Sequence, residues 1–287
     1  MFLNGLDSTF DRKNSLFLRF HLTKINMSWI TQTLTSSIGK KLVMALTGLF
    51  LCSFLMVHLI GNLQVFKGDE GLAFNEYAVF MTTNPLIKTV SYGLYAFILL
   101  HAFEGLYLAY NNRKARGKQQ YAVTKGSANS SWFSRNMAIL GTVLLVFIAV
   151  HMSNFWFEYK FGYTPYTRYE ENLSTGVKVA SPYTGEIHGK MEEFVREESN
   201  TRVVIVKDLY RSVVEAFKNP LIVIFYVLAM FSVSFHLIHG FKSAFQTLGI
   251  NHSKYNPALN VLGIGLFGIL IPIGFALMPV YFFFISL

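Results

Sequence analysis

The stretch Phe235-His236-Leu237-Ile238-His239-Gly240 lies near the end of an apolar run that extends from Pro220 to Phe241. An apolar run of about 20 residues is long enough to cross a bilayer as an α-helix. Ionisable side chains inside membrane helices are costly, so the imidazoles in this run mark a candidate functional site. Three further apolar runs each carry one histidine: His58, His101 and His151. The sequence therefore predicts four membrane helices that each bring a histidine to a shared interior.

The composition of the 287-residue chain is that of a membrane protein. Hydrophobic residues make up 52% and charged residues 14%, and the mean hydropathy is +0.38. An average soluble domain is about 25% charged. The net charge is +9, but no basic run is interleaved with aromatic residues that would stack on bases. These features argue against nucleic-acid binding.

The apolar runs predict five transmembrane helices, at about 38–60, 86–110, 136–157, 220–241 and 258–284. Asn84-Pro85 and Asn219-Pro220 have the N-cap and first-position proline that start a helix. The fifth run has no histidine, and its glycines and two prolines predict a kinked, closely packed supporting helix. We therefore expect an all-α membrane domain over residues 37–287, with a long outer loop between helices 3 and 4. Val203–Val206 in that loop is compatible with a small hairpin.

Residues 1–36 are expected to be a leader that is disordered or amphipathic. Arg19 and His21 interrupt the candidate apolar core of a signal peptide, and no small-residue cleavage site follows. Met27 opens a plausible alternative start of the chain.

Basic residues in the connections predict the orientation of the helices. The segment 111–134 has five basic residues and no acid, and the connection after the fourth helix also has lysines without acids. These connections are expected on the cytoplasmic side, together with the N-terminus. The connections 61–85 and 158–218 are then expected outside, together with the C-terminus.

Depth along the helices sorts the four histidines into two pairs. At about 1.5 Å per residue from the nearest cytoplasmic basic residue, His58 and His151 lie about 25 Å deep. His101 and His236 lie only about 18 and 9 Å deep. By depth and by elimination, His58 pairs with His151 near the outer face, and His101 pairs with His236 nearer the cytoplasm.

Two histidine pairs on four helices can hold two flat haems, each with a histidine on both faces. The four helices would then form a haem-binding bundle. The single cysteine, Cys52, lies in an apolar run, and the sequence has no Cys-x-x-Cys-His motif for covalent attachment. With imidazole at both axial positions, the remaining chemistry is electron transfer. Gly105 and Gly240 each follow a histidine by four residues and lie on its face, where they leave room for a porphyrin. An alternative role for such glycines is to let helices approach each other closely. An alternative role for a membrane histidine is a hydrogen-bonded packing contact or a proton relay.

His236 and His239 compete for one ligand position, because residues three apart differ by about 60° around a helix. Gly240 favours His236 by its spacing. His239 lies near the cytoplasmic interface, where we expect it to be solvated or to contact a haem propionate.

These residues resemble the dihaem cytochrome b membrane subunit of succinate:menaquinone oxidoreductases and fumarate reductases, in the complex II superfamily. The matching stretches are Val57-His58-Leu59 with Asn62, His101-Ala102 with Gly105 and Tyr107, Val150-His151-Met152, and Phe235-His236 with Gly240, Ser243, Thr247 and Gly249-Ile250. With the five-helix layout, the resemblance covers roughly residues 36–287. It implies that His236 rather than His239 is the ligand, with the proximal haem on helices 2 and 4 and the distal haem on helices 1 and 3.

The resemblance also implies partners and cofactors. Two b-type haems would carry electrons between an iron–sulfur subunit on the cytoplasmic face and menaquinone in a bacterial cytoplasmic membrane. FAD and the succinate chemistry belong to a flavoprotein subunit, and higher oligomers of the complex stay open. The segments 111–134 and 241–257 are the candidate docking face. Candidate contacts to the haem propionates, each also explicable as an interfacial anchor, are Lys40, Lys41, Arg113, Arg135 and Lys242.

Three acids are candidates for the quinone site or for proton transfer. Glu104 is an unusual acid within the second helix, and it serves either proton uptake or a buried hydrogen bond. Glu70 and Glu76 lie in the outer connection near the distal pair, where solvated acids are also common. Some fumarate-reducing members of the family are thought to use a glutamate before the fourth-helix ligand. Ser232 and Ser234 occupy that region here, which argues against such a pathway.

Other classes of protein are compatible with some of these features. A haem b subunit of a hydrogenase or formate dehydrogenase would bind a partner on the opposite side of the membrane from the basic connections. A cytochrome bc-type subunit would carry two ligands about 14 residues apart on each of two helices, which no helix here does. A transporter with a histidine proton relay would be expected to have repeats or broken helices.

Overall fold

The structure, a computed structural model, describes residues 29–117 and 130–286. Within those residues, five helical spans are long and apolar enough to cross a membrane, as the sequence predicts: Ser37–Phe66, Pro85–Arg116, Met137–Phe161, Pro220–Thr247 and Asn256–Ile285. Most ends lie a few residues beyond the predicted limits, because polar residues continue the helices past the apolar segments. Of the leader, residues 29–35 are helical, and 1–28 lie outside the described residues, as do Lys118 and Lys125 of the basic connection.

The second and fourth spans begin at the predicted asparagine caps. The side-chain oxygens of Asn84 and Asn219 each accept the backbone N–H two residues on, at 2.9 Å. Pro85 and Pro220 follow at the first helical position, where the missing N–H costs no helical hydrogen bond. Both predicted starts are confirmed. Shorter helices, Trp132–Arg135 and Leu209–Phe217, precede the third and fourth spans.

The fourth span is the centre of the bundle, because it packs against the first, third and fifth spans. The fifth span approaches it closely at glycines. A Cβ at Gly268 would lie 2.4 Å from Ile238 Cγ1, and one at Gly263 would lie 3.1 Å from Phe241 Cδ1. The hydroxyl of Ser234 donates to the Gly268 carbonyl across the same contact. The fifth span therefore supports the fourth span without contributing a histidine.

Segments of π-helix interrupt the third span at Met152–Phe157 and the fifth at Val261–Leu270. A π-helical turn holds more residues than an α-helical turn, and it therefore changes which side chains share a face further along the span. Pro272 and Pro279 lie in the α-helix Ile271–Ile285 that follows the second of these segments.

The connection between the third and fourth spans contains an antiparallel sheet, so the expectation of an all-α protein is wrong in this part of the chain. The strands are β1 (Tyr166–Asn172), β2 (Lys178–Tyr183), β3 (Met191–Arg196) and β4 (Thr201–Lys207), in the order β2-β1-β4-β3. The apolar run Val203–Val206 lies in the inner strand β4 and is buried. β-branched residues favour a pleated, buried surface, which explains why this run forms a strand rather than a helix.

The helix Leu72–Thr83, between the first two spans, joins the sheet through a buried polar network. Asn75 is fully buried, and its Nδ2 donates to Oδ1 of Asp208 at 2.8 Å. Its Oδ1 accepts the backbone N–H of Tyr210 at 2.9 Å. Arg202 of β4 pairs with Glu76 of this helix at 3.3 Å. Residues 63–83 and 162–218 thus form one unit at one end of the bundle, which we call the cap.

Candidate functional site

The inner histidine pair joins the second and fourth spans. The ring centroids of His101 and His236 are 6.2 Å apart, with an angle of 65° between the ring planes. Nδ1 of His236 is buried and has no hydrogen-bond partner among the described residues. Nδ1 of His101 lies 3.1 Å from Oγ1 of Thr47 in the first span. The structure thus brings together the two histidines that depth along the helices had paired.

The Thr47 hydroxyl is placed to hold the ring of His101 through Nδ1. Its oxygen lies 2.7 Å from the carbonyl oxygen of Val43, to which it donates its only proton. With the hydroxyl proton on the Val43 carbonyl, the same oxygen accepts from His101, and this arrangement goes with a neutral ring that has its proton on Nδ1 and its lone pair on Nε2. Metal-ligating histidines usually have this arrangement, with the second nitrogen held by a hydrogen bond.

Glycines on neighbouring helices face the inner pair. A Cβ at Gly48 of the first span would lie 3.2 Å from Cε1 of His101. A Cβ at Gly141 of the third span would lie 3.8 Å from Cε1 of His236. Sequence reasoning missed both glycines and Thr47, because each lies on a different helix from the histidine that it faces. Glycines within apolar runs, about three turns into the first helix and one turn into the third, were the available signal, but the sequence provided no way to assign their partners.

The glycines that the sequence predicted beside the histidines border space. A Cβ at Gly105 would contact only the end of Met44, at 3.7 Å, and one at Gly240 would meet no described atom within 4 Å. Gly61, in contrast, accommodates the Tyr77 ring, whose Cε1 would lie 2.3 Å from a Cβ there. Gly105 and Gly240 therefore leave room near the inner pair, whereas Gly61 serves packing between the first span and the cap.

The outer histidine pair joins the first and third spans. The ring centroids of His58 and His151 are 5.9 Å apart, and the rings are nearly perpendicular at 86°. Nδ1 of His151 is buried without a hydrogen-bond partner in the described part of the chain. Aromatic rings surround the pair and exclude water: Phe54, Phe147, Phe155, Tyr226 and Phe275.

Asn62 sets the proton position on His58. Its Nδ2 donates to the His58 carbonyl at 2.7 Å and lies 3.2 Å from His58 Nδ1. With this amide orientation Nδ1 accepts and Nε2 carries the proton. A metal bound at Nε2 requires the other tautomer, which Asn62 supports only when its amide turns its oxygen toward Nδ1.

The neighbours of His236 in the stretch 235–240 have packing roles. The Phe235 ring stacks on Phe133 at a centroid distance of 5.0 Å, which ties the fourth span to the start of the third. Leu237 is buried in the core, and Ile238 meets the fifth span. His239 is partly buried. The histidine–histidine ring contacts of the described residues join His58 to His151 and His101 to His236, and they do not include His239.

The three candidate acids lie apart. Oε2 of Glu104 is buried and has no hydrogen-bond partner within residues 29–117 and 130–286. Glu70 is exposed in the cap, and its backbone carbonyl accepts from the Tyr169 hydroxyl at 3.0 Å. Glu76 is held by the ion pair with Arg202. Glu104 therefore remains the acid with an unexplained environment, and Glu76 has a structural role.

The candidate propionate contacts lie at the end of the bundle opposite the cap. Lys41, Arg113 and Lys242 are exposed, and none of them forms an ion pair with another described residue. The guanidinium of Arg135 donates to the Ser130 carbonyl. The ammonium of Lys40 lies 4.3 Å from the centroid of the Tyr107 ring. No contact here places these side chains against the histidine pairs.

The separation of the paired rings is compatible with a metal between them, and it also lies within the range of about 4.5–7 Å of ordinary ring packing. An imidazole nitrogen binds a transition metal at about 2 Å and the ring centroid lies about 1 Å behind it, so two such rings on opposite sides are about 6 Å apart. The observed separations are 5.9 and 6.2 Å. The described residues contain no group of three or more His, Cys, Asp or Glu side chains that could hold a bare ion. A porphyrin supplies four ligands itself, so two histidines suffice for haem.

Both pairs thus have a ring separation that fits a haem. Thr47 is placed to hold Nδ1 of His101, and Asn62 can hold Nδ1 of His58 once its amide turns. Comparisons with protein-family models, curated protein sequences and solved structures found no match to this chain.

Proposed function

We propose that this chain is the dihaem membrane-anchor and electron-transfer subunit of a succinate:menaquinone oxidoreductase or fumarate reductase complex. The observation that carries the proposal is the pair of facing histidines at each of two levels, with ring centroids 6.2 and 5.9 Å apart. His101 and His236 are the proposed ligands of the proximal haem, and His58 and His151 those of the distal haem. The assignment to this enzyme complex rests on the resemblance of the surrounding residues to the family.

In this proposal, the residues of this chain bind the two haems and orient their histidine ligands. A bis-histidine haem supplies one-electron transfer and has no open position for dioxygen. Thr47 orients the His101 ring, and the aromatic residues around His58 and His151 keep water from the distal site. Burial and hydrogen bonds to the ligands are the means by which a protein adjusts the potential of such a group.

In this proposal the end with Lys41, Arg113 and Lys242 faces the cytoplasm and docks the iron–sulfur subunit. The excess of basic residues there supports this orientation. FAD and the succinate chemistry are in the flavoprotein partner, so this subunit contributes electron transfer and a quinone site. Glu104 is the candidate proton-transfer group, because its Oε2 is buried without a partner among the described residues.

Purification of the tagged chain from its native membranes tests the proposal. We expect b-type bands in the reduced-minus-oxidised spectrum, two haems per chain, co-purifying flavoprotein and iron–sulfur subunits, and haem reduction by succinate. Absence of b-type bands contradicts haem binding, and one haem per chain contradicts the pairing. Haem reduction by hydrogen or formate but not by succinate would assign the chain to the other class of membrane oxidoreductase.

A further inference from the structure

Lysines gather where the second and third spans meet the cap. The ammonium groups of Lys190 and Lys207 lie 4.7 and 5.1 Å from the centroid of the same Tyr159 ring. The backbone N–H of Lys207 donates to the Lys190 carbonyl at 2.8 Å, so the two side chains leave adjacent segments of the cap. Lys160 follows Tyr159 at the end of the third span, and Lys88 lies near the start of the second.

The other three lysines lie close enough to Lys190 for their charges to act on it. Burial, followed by the charges of Lys207, Lys88 and Lys160, lowers the pKa of Lys190. Throughout the described residues, none of the four lysines forms an ion pair. Clustered like charges without acids raise the free energy of the folded protein unless an anion binds among them.

The acids nearest in sequence are engaged elsewhere. Oε1 of Glu192 accepts the backbone N–H of His188 at 2.6 Å. The carboxylate of Glu158 lies against Gly162, where its Oε2 would be 2.1 Å from a Cβ. Among the described residues, no carboxylate therefore neutralises the cluster through an ion pair.

An apolar groove begins beside this cluster and follows the third span. It is shallow and open, and its lining residues all lie on the third span: Ala149, Met152, Ser153, Trp156 and Phe157. The ammonium of Lys160 lies 5.1 Å from the centroid of the Trp156 ring, so the charged cluster and the groove adjoin. Tryptophan is enriched at the level where hydrocarbon meets headgroups, and lysine there places its ammonium in the headgroup layer.

We propose that Lys88, Lys160, Lys190 and Lys207 together with this groove bind one anionic glycerophospholipid. Its phosphate lies among the ammonium groups, and an acyl chain lies along Met152–Phe157. Basic pockets between membrane helices recognise anionic headgroups in this way, whereas a zwitterionic lipid would bring a cation into an already positive site. The site lies on the surface of the bundle and does not depend on the histidine pairs.

Binding of fluorescent phosphatidylglycerol to the detergent-purified full chain, with the subunits that accompany it, tests the site. We expect the double variant Lys160→Gln/Lys190→Gln to bind about tenfold or more weakly. Lys207 is kept, because its ammonium donates to the Tyr159 carbonyl at 2.6 Å and holds the cap to the third span. The matched control, Lys178→Gln/Lys218→Gln, removes the same charge from lysines that pair with Glu171 and Glu215, and it should bind like the wild type. Equal affinities of all three proteins, or equal weakening in both variants, overturn the proposal.

A second variant separates a lipid from a free anion. Ser153 is exposed in the groove, and Ser153→Phe should fill it and weaken binding of phosphatidylglycerol while leaving binding of glycerol phosphate unchanged. Unchanged lipid binding in Ser153→Phe, or glycerol phosphate that binds as tightly as the lipid, would identify a simple anion site instead. Phosphatidylcholine that binds as tightly as phosphatidylglycerol would also overturn the proposal. If the double variant does not fold, Lys160→Gln alone, at an exposed position, replaces it.

Discussion

Oγ1 of Thr47 lies 3.1 Å from Nδ1 of His101 and links the first span to the second at the level of the inner pair. The threonine is buried, and its hydroxyl proton is donated to the Val43 carbonyl of its own helix. One buried side chain thereby contacts the ring nitrogen of an imidazole on another helix and restricts the rotation of that ring.

The variant Thr47→Val tests this link. Valine has the shape of threonine but cannot accept a hydrogen bond, so we expect the affinity for the proximal haem to fall by about 10–100-fold while the distal haem is retained. Haem transfer to an acceptor protein, followed by a redox titration of the remaining haem, measures this. Thr47→Ser keeps the hydroxyl and should behave like the wild type. Wild-type affinity in Thr47→Val, or equal loss of both haems, would contradict the role of Thr47.

The lack of a side chain at Gly48 is a second requirement of the inner pair. Because a Cβ there would lie 3.2 Å from Cε1 of His101, Gly48→Ala must displace the ring by a few tenths of an ångström. We expect lower occupancy of the proximal haem in the purified protein, measured by haem content and absorption spectrum. Gly93→Ala is the matched control, because no described atom lies within 4 Å of a Cβ at that position. It should keep both haems and gain up to about 1 kcal/mol of helix stability. Equal haem contents in the two variants would refute the requirement.

Tyr169 connects the sheet to the rest of the cap and gives it a pH dependence. Its hydroxyl donates to the Glu70 carbonyl at 3.0 Å, and Nδ2 of Asn75 donates to it at 3.3 Å. Burial, and then the charge of Asp208, raise the pKa of Tyr169. The folded cap therefore holds this proton more tightly than the unfolded chain. The resulting stability is fully present below the ordinary tyrosine pKa of 10.0 and is lost as the pH rises above it.

The variant Tyr169→Phe isolates this effect. At pH 7 we expect it to reduce the free energy of unfolding of the cap by about 1–3 kcal/mol, because buried partners lose the hydroxyl. The difference from the wild type should shrink above pH 10, as measured by hydrogen exchange of the β1 and β4 amides. Burial also lowers the pKa of Lys207, so the cost of burying its charge falls as the pH rises. This change in the free energy of unfolding is the same in Tyr169→Phe and in the wild type, and it cancels in their difference. If the difference in unfolding free energy between Tyr169→Phe and the wild type does not change with pH, Tyr169 is not the source of the pH dependence.

The histidine pairs were predictable because each apolar run carries its own histidine and because depth along a helix follows from counting residues. Thr47 and Gly48 were not predictable in the same way. Their contacts with His101 depend on how the first span is rotated against the second, and a threonine that bonds to its own helix at Val43 gives no sign of a second partner. Likewise, the distance from a histidine on the same helix identified Gly105 but not Gly141.

The sheet was only partly predictable from sequence. β4 has the apolar run Val203–Val206, but β1 and β3 are rich in charged residues and lack a clear alternation of apolar and polar positions. Cross-strand ion pairs link these strands instead, such as Arg202 with Glu193 at 2.6 Å. The buried contact of Asn75 with Asp208 joins residues far apart in sequence, and no local pattern indicates it.

His236 and His239 provide the most direct test of the ligand assignment. In the structure only His236 faces a second imidazole, with a ring-centroid distance of 6.2 Å to His101, so we expect His236→Leu to lose the proximal haem. His239→Leu, the matched control one helical turn away, should retain two haems per chain. Haem content and the low-temperature spectrum of each purified variant distinguish the results. Two haems in His236→Leu with one in His239→Leu would reverse the assignment, because the fourth span would then have to rotate by about 60° to present His239.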